Sequence, residues 1–129
     1  MPKKKEVEYI NKNLFISPIY IGFVPDEKSW KAECKRLDLG SVEYLKTLGK
    51  TYFFESKDGK TIAFVMIHEK CDKHPALAAA IICHEAVHVV EEVFREIGES
   101  KPSEEFRAYV TQNVFQSLYE SYLKHRGKK

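Results

Sequence analysis

The sequence predicts an α+β domain, and three observations carry that reading. A stretch dense in β-branched and aromatic residues runs from Leu14 to Val24. Two further runs with strand character, Thr51 to Glu55 and Thr61 to His68, flank an Asp-Gly pair. From Pro75 onward the apolar residues recur at helical spacing. The chain has 129 residues, of which 43% are apolar and 12% aromatic, enough for one core and too few for a second domain.

Each element has a local reason. Residues 1–13 are polar and lysine-rich and are expected to form a flexible basic N-terminal tail, leaving 14–125 as the single domain. Pro18 interrupts or starts the first strand. Pro25-Asp26 opens a helix over Glu27 to Leu37, with Trp30, Cys34 and Leu37 on one face. Lys57-Asp58-Gly59-Lys60 supplies the tight turn of a hairpin, since Gly takes the positive φ such turns need. Pro75 suits the first turn of a long helix ending near Gly98, where glycine again fits a C-terminal cap. Ser103 is a good N-cap for a last helix reaching about His125.

Charge and cysteine content exclude several classes. Twenty-one basic against 19 acidic residues leave a net charge of +2, no footprint for nucleic acid. The longest apolar run, Pro75 to Cys83, is too short for a membrane span. Met1 to Glu6 carries charge with no apolar segment behind it, which predicts no secretory leader. Three cysteines without paired spacing do not make a disulfide framework. The expectation is a small soluble cytoplasmic domain, with no nucleic-acid or membrane partner.

The chemistry sits in His84-Glu85-Ala86-Val87-His88. Residues four apart lie on one helix face, roughly 6 Å between Cβ atoms, so two imidazoles converge on one ion. The intervening glutamate is turned aside, where it reaches a metal-bound water as a general base without being a ligand. Chance yields roughly 0.02 such motifs in a chain with five histidines. At about 100° per residue, Ile82, Ala86, Val89, Val93 and Ile97 form the core stripe, with His84 and His88 roughly 160° from its middle. Leu77 and Ile81 make the histidine side apolar too, so the last helix is expected to cover it. Glu105, 17 residues after His88, is then the candidate third ligand for zinc. Glu104, about 100° away, competes with it. Glu105, Tyr109, Gln112 and Gln116 form a polar stripe that is either solvated surface or the wall of a site, beside an apolar one of Val114, Phe115, Leu118 and Tyr122.

HExxH followed by Glu105-Phe106-Arg107-Ala108 resembles the gluzincin-type zinc peptidases. The stretch Glu104 to Tyr109 looks like the small zincin-like proteins encoded by bacteriophages and prophages, and the specific match covers residues 77–115. The resemblance implies a minimal zincin-like fold in which a small antiparallel-containing sheet packs on the HExxH helix and a glutamate-bearing C-terminal helix. It implies that His84, His88 and Glu105 bind Zn²⁺, that Glu85 activates the bound water, and that the substrate is a protein or peptide. It further implies that the strand 61–68 is the sheet edge along which an extended peptide lies. Where many gluzincins carry an aspartate four residues after the ligand glutamate, this chain has Tyr109. Tyr109 is also the candidate oxyanion donor, with Tyr119 in reserve.

Other readings compete. Cys71 and His74 with His84 and His88 offer a closed structural zinc set, although Pro75 starts the helix roughly 14 Å along the axis from His84. Cys83, about 100° round from His84, is expected to be a buried inert thiol. His68 and His74 are substrate contacts or plain surface. The alternative at the level of function is a catalytically silent zincin-like protein that binds a host or partner protein; Glu85 counts against it, because a binder needs no general base.

Overall fold

A computed structural model of the chain describes residues 5–14 and 17–127. The elements are β1 (Glu8–Tyr9), β2 (Tyr20–Val24), α1 (Glu27–Arg36), β3 (Gly49–Glu55), β4 (Thr61–Ile67), α2 (Pro75–Glu96) and α3 (Glu104–Arg126), with 3-10 turns at Asn11–Asn13 and Glu69–Lys73. The strands form one mixed sheet in the order β1-β2-β4-β3. The central pair β2 and β4 is parallel, with Ile21 opposite Ala63 and Phe23 opposite Val65. Both outer strands run antiparallel to their neighbours. This is the expected α+β class, and no helix is long and apolar enough to cross a membrane among the described residues.

The local signals act as chemistry requires. Asp26 and Ser29 cap α1 reciprocally, the carboxylate accepting from the Ser29 amide at 2.8 Å and the Ser29 hydroxyl accepting from the Asp26 amide at 3.2 Å. Gly59 holds φ of 85° in the β3–β4 turn, and the Asp58 carboxylate accepts from Ser56, Tyr20 and the Lys60 amide. Those bonds hold the Asp58 carboxyl down to about 2. Gly98, at φ of 73°, ends α2 in a Schellman arrangement, with Gly98 N donating to Arg95 O and Glu99 N to Phe94 O. The Ser103 hydroxyl accepts from the Phe106 amide at 3.2 Å, as an N-cap should.

Three expectations are corrected here. The N-terminal segment is not a tail through residue 13: Glu8 and Tyr9 pair with Phe23 and Gly22, and Ile10 is buried. The stretch expected as a strand from Leu14, interrupted or started at Pro18, enters the sheet only at Tyr20, as β2; in the bend at Pro18 and Ile19 before it the Ser17 hydroxyl donates to Ile19 O, and Phe15 and Ile16 lie outside the described residues. The strand at 61–67 is not the sheet edge. It lies between β2 and β3, and the outer strand on that side is β3.

Strand alternation divides the core into two layers. Ile21, Phe23, Ala63, Val65 and Ile67 face α2 and α3. Ile62, Phe64 and Met66 face the other way, towards Trp30 and Cys34 of α1 and Leu45 of the following loop.

Candidate metal and catalytic site

Helix α2 sorts the HExxH side chains by direction. His84 and His88 are exposed, with ring centroids 5.2 Å apart. Glu85 is buried, at 5% exposure. The buried set is Ala78, Ile82, Glu85, Ala86, Val89, Val90, Val93 and Phe94. At about 100° per residue its centre coincides with that of the expected stripe to within roughly 10°, but the set is wider, reaching Glu85 on one flank and Val90 and Phe94 on the other. Two residues expected in the interior lie outside it. Cys83, expected to be buried, is exposed. Ile97, expected in the core, is 37% exposed.

Burial of Glu85 is made tolerable by β3. The Thr51 hydroxyl donates to Glu85 Oε1 at 2.8 Å, which meets the requirement that a buried carboxylate be hydrogen-bonded. Gly49, two residues earlier on the same strand face, lets the backbone approach the helix. A Cβ built there would lie 2.4 Å from Ile81 Cγ2 and 3.1 Å from Glu85 Oε2. Sequence reasoning missed both residues. The period-2 alternation of β3 puts 49 and 51 on one face, but nothing local says that this face meets Glu85.

The last helix packs beside α2 and does not cover the histidine face. Its buried residues are Val110, Val114, Ser117, Leu118, Ser121 and Tyr122. Two contacts fix its register: Arg107 pairs with Glu91 at 2.6 Å, and Phe106 packs edge-on against Phe94 at 5.4 Å. In antiparallel helices that register sets residues 110–116 of α3 level with His88 and His84. Glu105 lies five to seven residues from the level of His88 and nine to eleven from that of His84, roughly 8–16 Å along the axis at 1.5 Å per residue.

Glu104, Glu105, Tyr109, Gln112 and Gln116 are all exposed, Tyr109 at 60%. Leu77, on the histidine side, is 37% exposed rather than covered. The structure therefore brings the two imidazoles together and leaves Glu105 and Glu104 apart from them. Among the described residues no group of three or more His, Cys, Asp and Glu side chains is arranged to hold a metal ion. In donor chemistry the two imidazoles fit Zn²⁺ and Glu85 fits a base; the third protein ligand is the component not assembled.

The remaining candidates have local employment or none. Cys71 is buried in the core, whereas His74 is exposed at the start of α2. His68 Nδ1 accepts from the Lys70 amide at 3.1 Å and caps the 3-10 turn. Tyr119 is half-buried between Phe115 and Tyr122. Comparison of the chain with family models, with characterised proteins and with solved structures finds no match.

Proposed function

We propose that the chain is a zinc-dependent metallopeptidase of the HExxH type, acting on an extended protein or peptide substrate in the cytoplasm. The observation that carries the reading is the division of labour on α2: two imidazoles share the outer face while the intervening carboxylate lies beneath the open edge strand. His84 and His88 are the nitrogen ligands, and Glu105 of the gluzincin pattern is the third. Ligation by Glu105 needs the start of α3 to come towards the histidines. The start of α3 is held by the edge-on packing of Phe106 on the buried Phe94, by a half-exposed Arg107–Glu91 pair worth about 0–1 kcal/mol and by one N-cap worth about 1 kcal/mol. Zinc sites release on the order of 10 kcal/mol.

Held by His84, His88 and Glu105, a zinc ion would supply an acidified water, with a pKa near 7, and a Lewis acid for the scissile carbonyl. Glu85 would serve as the base for a water held there, accepting its proton and returning it to the leaving amine. Tyr109, exposed and one turn beyond Glu105, is the side chain proposed to donate to the developing oxyanion.

The position of Glu105 is the specific observation favouring a second reading, a catalytically silent relative that binds a partner protein. Elemental analysis of tag-free protein tests the metal site on which the first reading depends. The metallopeptidase reading expects about one zinc per chain, lost or at least tenfold weakened in Glu105→Ala and retained in Glu85→Gln. Wild-type protein without zinc, even after zinc is added, sinks it.

A further inference from the structure

We propose that Thr51 is the positioning residue for Glu85, with Gly49 setting the distance at which it works. The inference rests on the reading of Glu85 as general base and identifies what aims it. A glutamate on a helix has three free torsions, and a base must be held within a fraction of an ångström of its working place. Helix α2 fixes only the Cα–Cβ direction. Beyond that, the hydrogen bond from the Thr51 hydroxyl, 2.8 Å to Oε1, is the side-chain bond that fixes the carboxylate.

Three features suit Thr51 to this task. Its β-branched side chain is restricted about χ1, so the hydroxyl has few directions to choose from. It stands within β3, paired opposite Val65 of the central strand, which makes its own backbone rigid. The bond is made to one carboxylate oxygen, which leaves Oε2 to receive a proton. Gly49 completes the arrangement from the same face: any side chain there meets Ile81 and Glu85 Oε2, so the strand must begin with hydrogen at that position to lie this close to α2. The open edge of β3 would carry the peptide, so one strand holds the substrate and aims the base.

The test uses zinc-loaded full-length protein and a fluorescently labelled unfolded protein as a general peptide substrate. kcat and KM are read separately, with zinc content measured in each variant. Thr51→Val keeps the strand-forming shape and removes the donor. It is expected to lower kcat by roughly ten- to a hundredfold, as misplacement of a reacting group does, with KM and zinc content unchanged. Thr51→Ser is expected to recover most of the loss, which a purely structural role for the threonine methyl would not allow. The ¹³C resonance of the Glu85 carboxyl, observed at a fixed neutral pH, is expected to move in Thr51→Val and return in Thr51→Ser.

Active wild-type protein, inactive Glu85→Gln and fully active Thr51→Val would overturn the positioning role alone. Zinc-loaded wild-type protein that hydrolyses nothing overturns the peptidase reading and this role with it. An unmoved Glu85 resonance in Thr51→Val overturns the hydrogen bond whatever the activity.

Discussion

The two faces of the sheet are built from different side chains, and the difference explains why the site is on one of them. The face under α2 and α3 is mainly aliphatic, with Ala63, Ala78 and Ala86 among its fully buried residues. Small residues let a helix lie close to the strands, and closeness is what brings Glu85 to Thr51. The opposite face is covered by one ten-residue helix and the irregular segment 37–48. With less backbone to cover the same area, large rings fill the space. Trp30 stacks on Tyr52 at 5.7 Å and 7°, meets Phe64 edge-on at 5.1 Å, and donates its indole N–H to Val42 O at 3.0 Å. One face therefore gains its cohesion from many small contacts along two helices, and the other from one aromatic cluster.

The sharpest way to break this comparison is to remove the centre of the aromatic cluster. Trp30→Ala is expected to cost about 3–5 kcal/mol in urea unfolding, the usual loss when a fully buried tryptophan is truncated. Zinc stoichiometry measured on the folded fraction should not change, because the cluster lies on the face of the sheet opposite α2. A loss of less than about 1 kcal/mol would mean that the loop 37–48, not the indole, organises that face.

A second comparison uses two glycines, one facing each layer. Gly49→Ala forces a contact of 2.4 Å with Ile81 Cγ2, a branch near the helix backbone that cannot swing away. It is expected to cost about 1–3 kcal/mol, as overpacking does. Gly22→Ala, on the aromatic side, meets Val7 Cγ1 at 2.9 Å and the Phe64 ring at 3.1 Å. Val7 precedes the two-residue strand β1 and yields more easily, so the smaller loss is expected there. Thermal denaturation of the two variants gives the order directly; the reverse order would show that the aliphatic layer is the more adaptable one.

What the sequence revealed, and what it did not, follows the range of each interaction. Asp58-Gly59, Pro75, Gly98 and Ser103 act within a few residues of themselves, and each marks its turn or helix end. The His84–His88 pairing is likewise a property of one helix turn. The strand β1 was invisible because two residues, one of them charged, give no periodic signal and are ordered only by pairing with β2. The edge position of β3 was invisible because strand order depends on where the crossover through α1 returns. Cys83 and Ile97 were misassigned for a related reason. Ile97 follows the last residue of α2 and belongs to its cap, and Cys83 is exposed although Val90 and Phe94, on the same side of the helix further along, are buried; how far a neighbour covers a helix face along its length is not written in its period. The Thr51–Glu85 bond joins residues 34 apart, and no spacing rule reaches across that distance.

The smallest expected effect concerns the neighbours Glu8 and Tyr9, which point to opposite faces of β1. The Tyr9 hydroxyl donates to Glu33, which is also held by the Arg36 guanidinium at 2.7 and 2.6 Å. Glu8 reaches the other way to α3, accepting from Ser121 at 2.6 Å and Lys124 at 3.1 Å and bonding His125 at 3.0 Å. Burial pushes both carboxyls up, but the donors outweigh it and each ends below the usual carboxylate range. A carboxyl lowered in the folded state adds stability above its unfolded value, near 4.3. That stability is lost as pH falls through the lower folded value. Lys124 is 66% exposed, so solvent screens the Glu8 cluster and its share is about 0.5–1 kcal/mol. Urea unfolding at pH 7 and pH 3 should therefore show wild-type protein losing more stability than Glu8→Gln by that amount. An equal loss in both would mean that β1 is held to α3 by the burial of Ile10 and the stacking of His125 on Phe23, with the carboxylate contributing nothing.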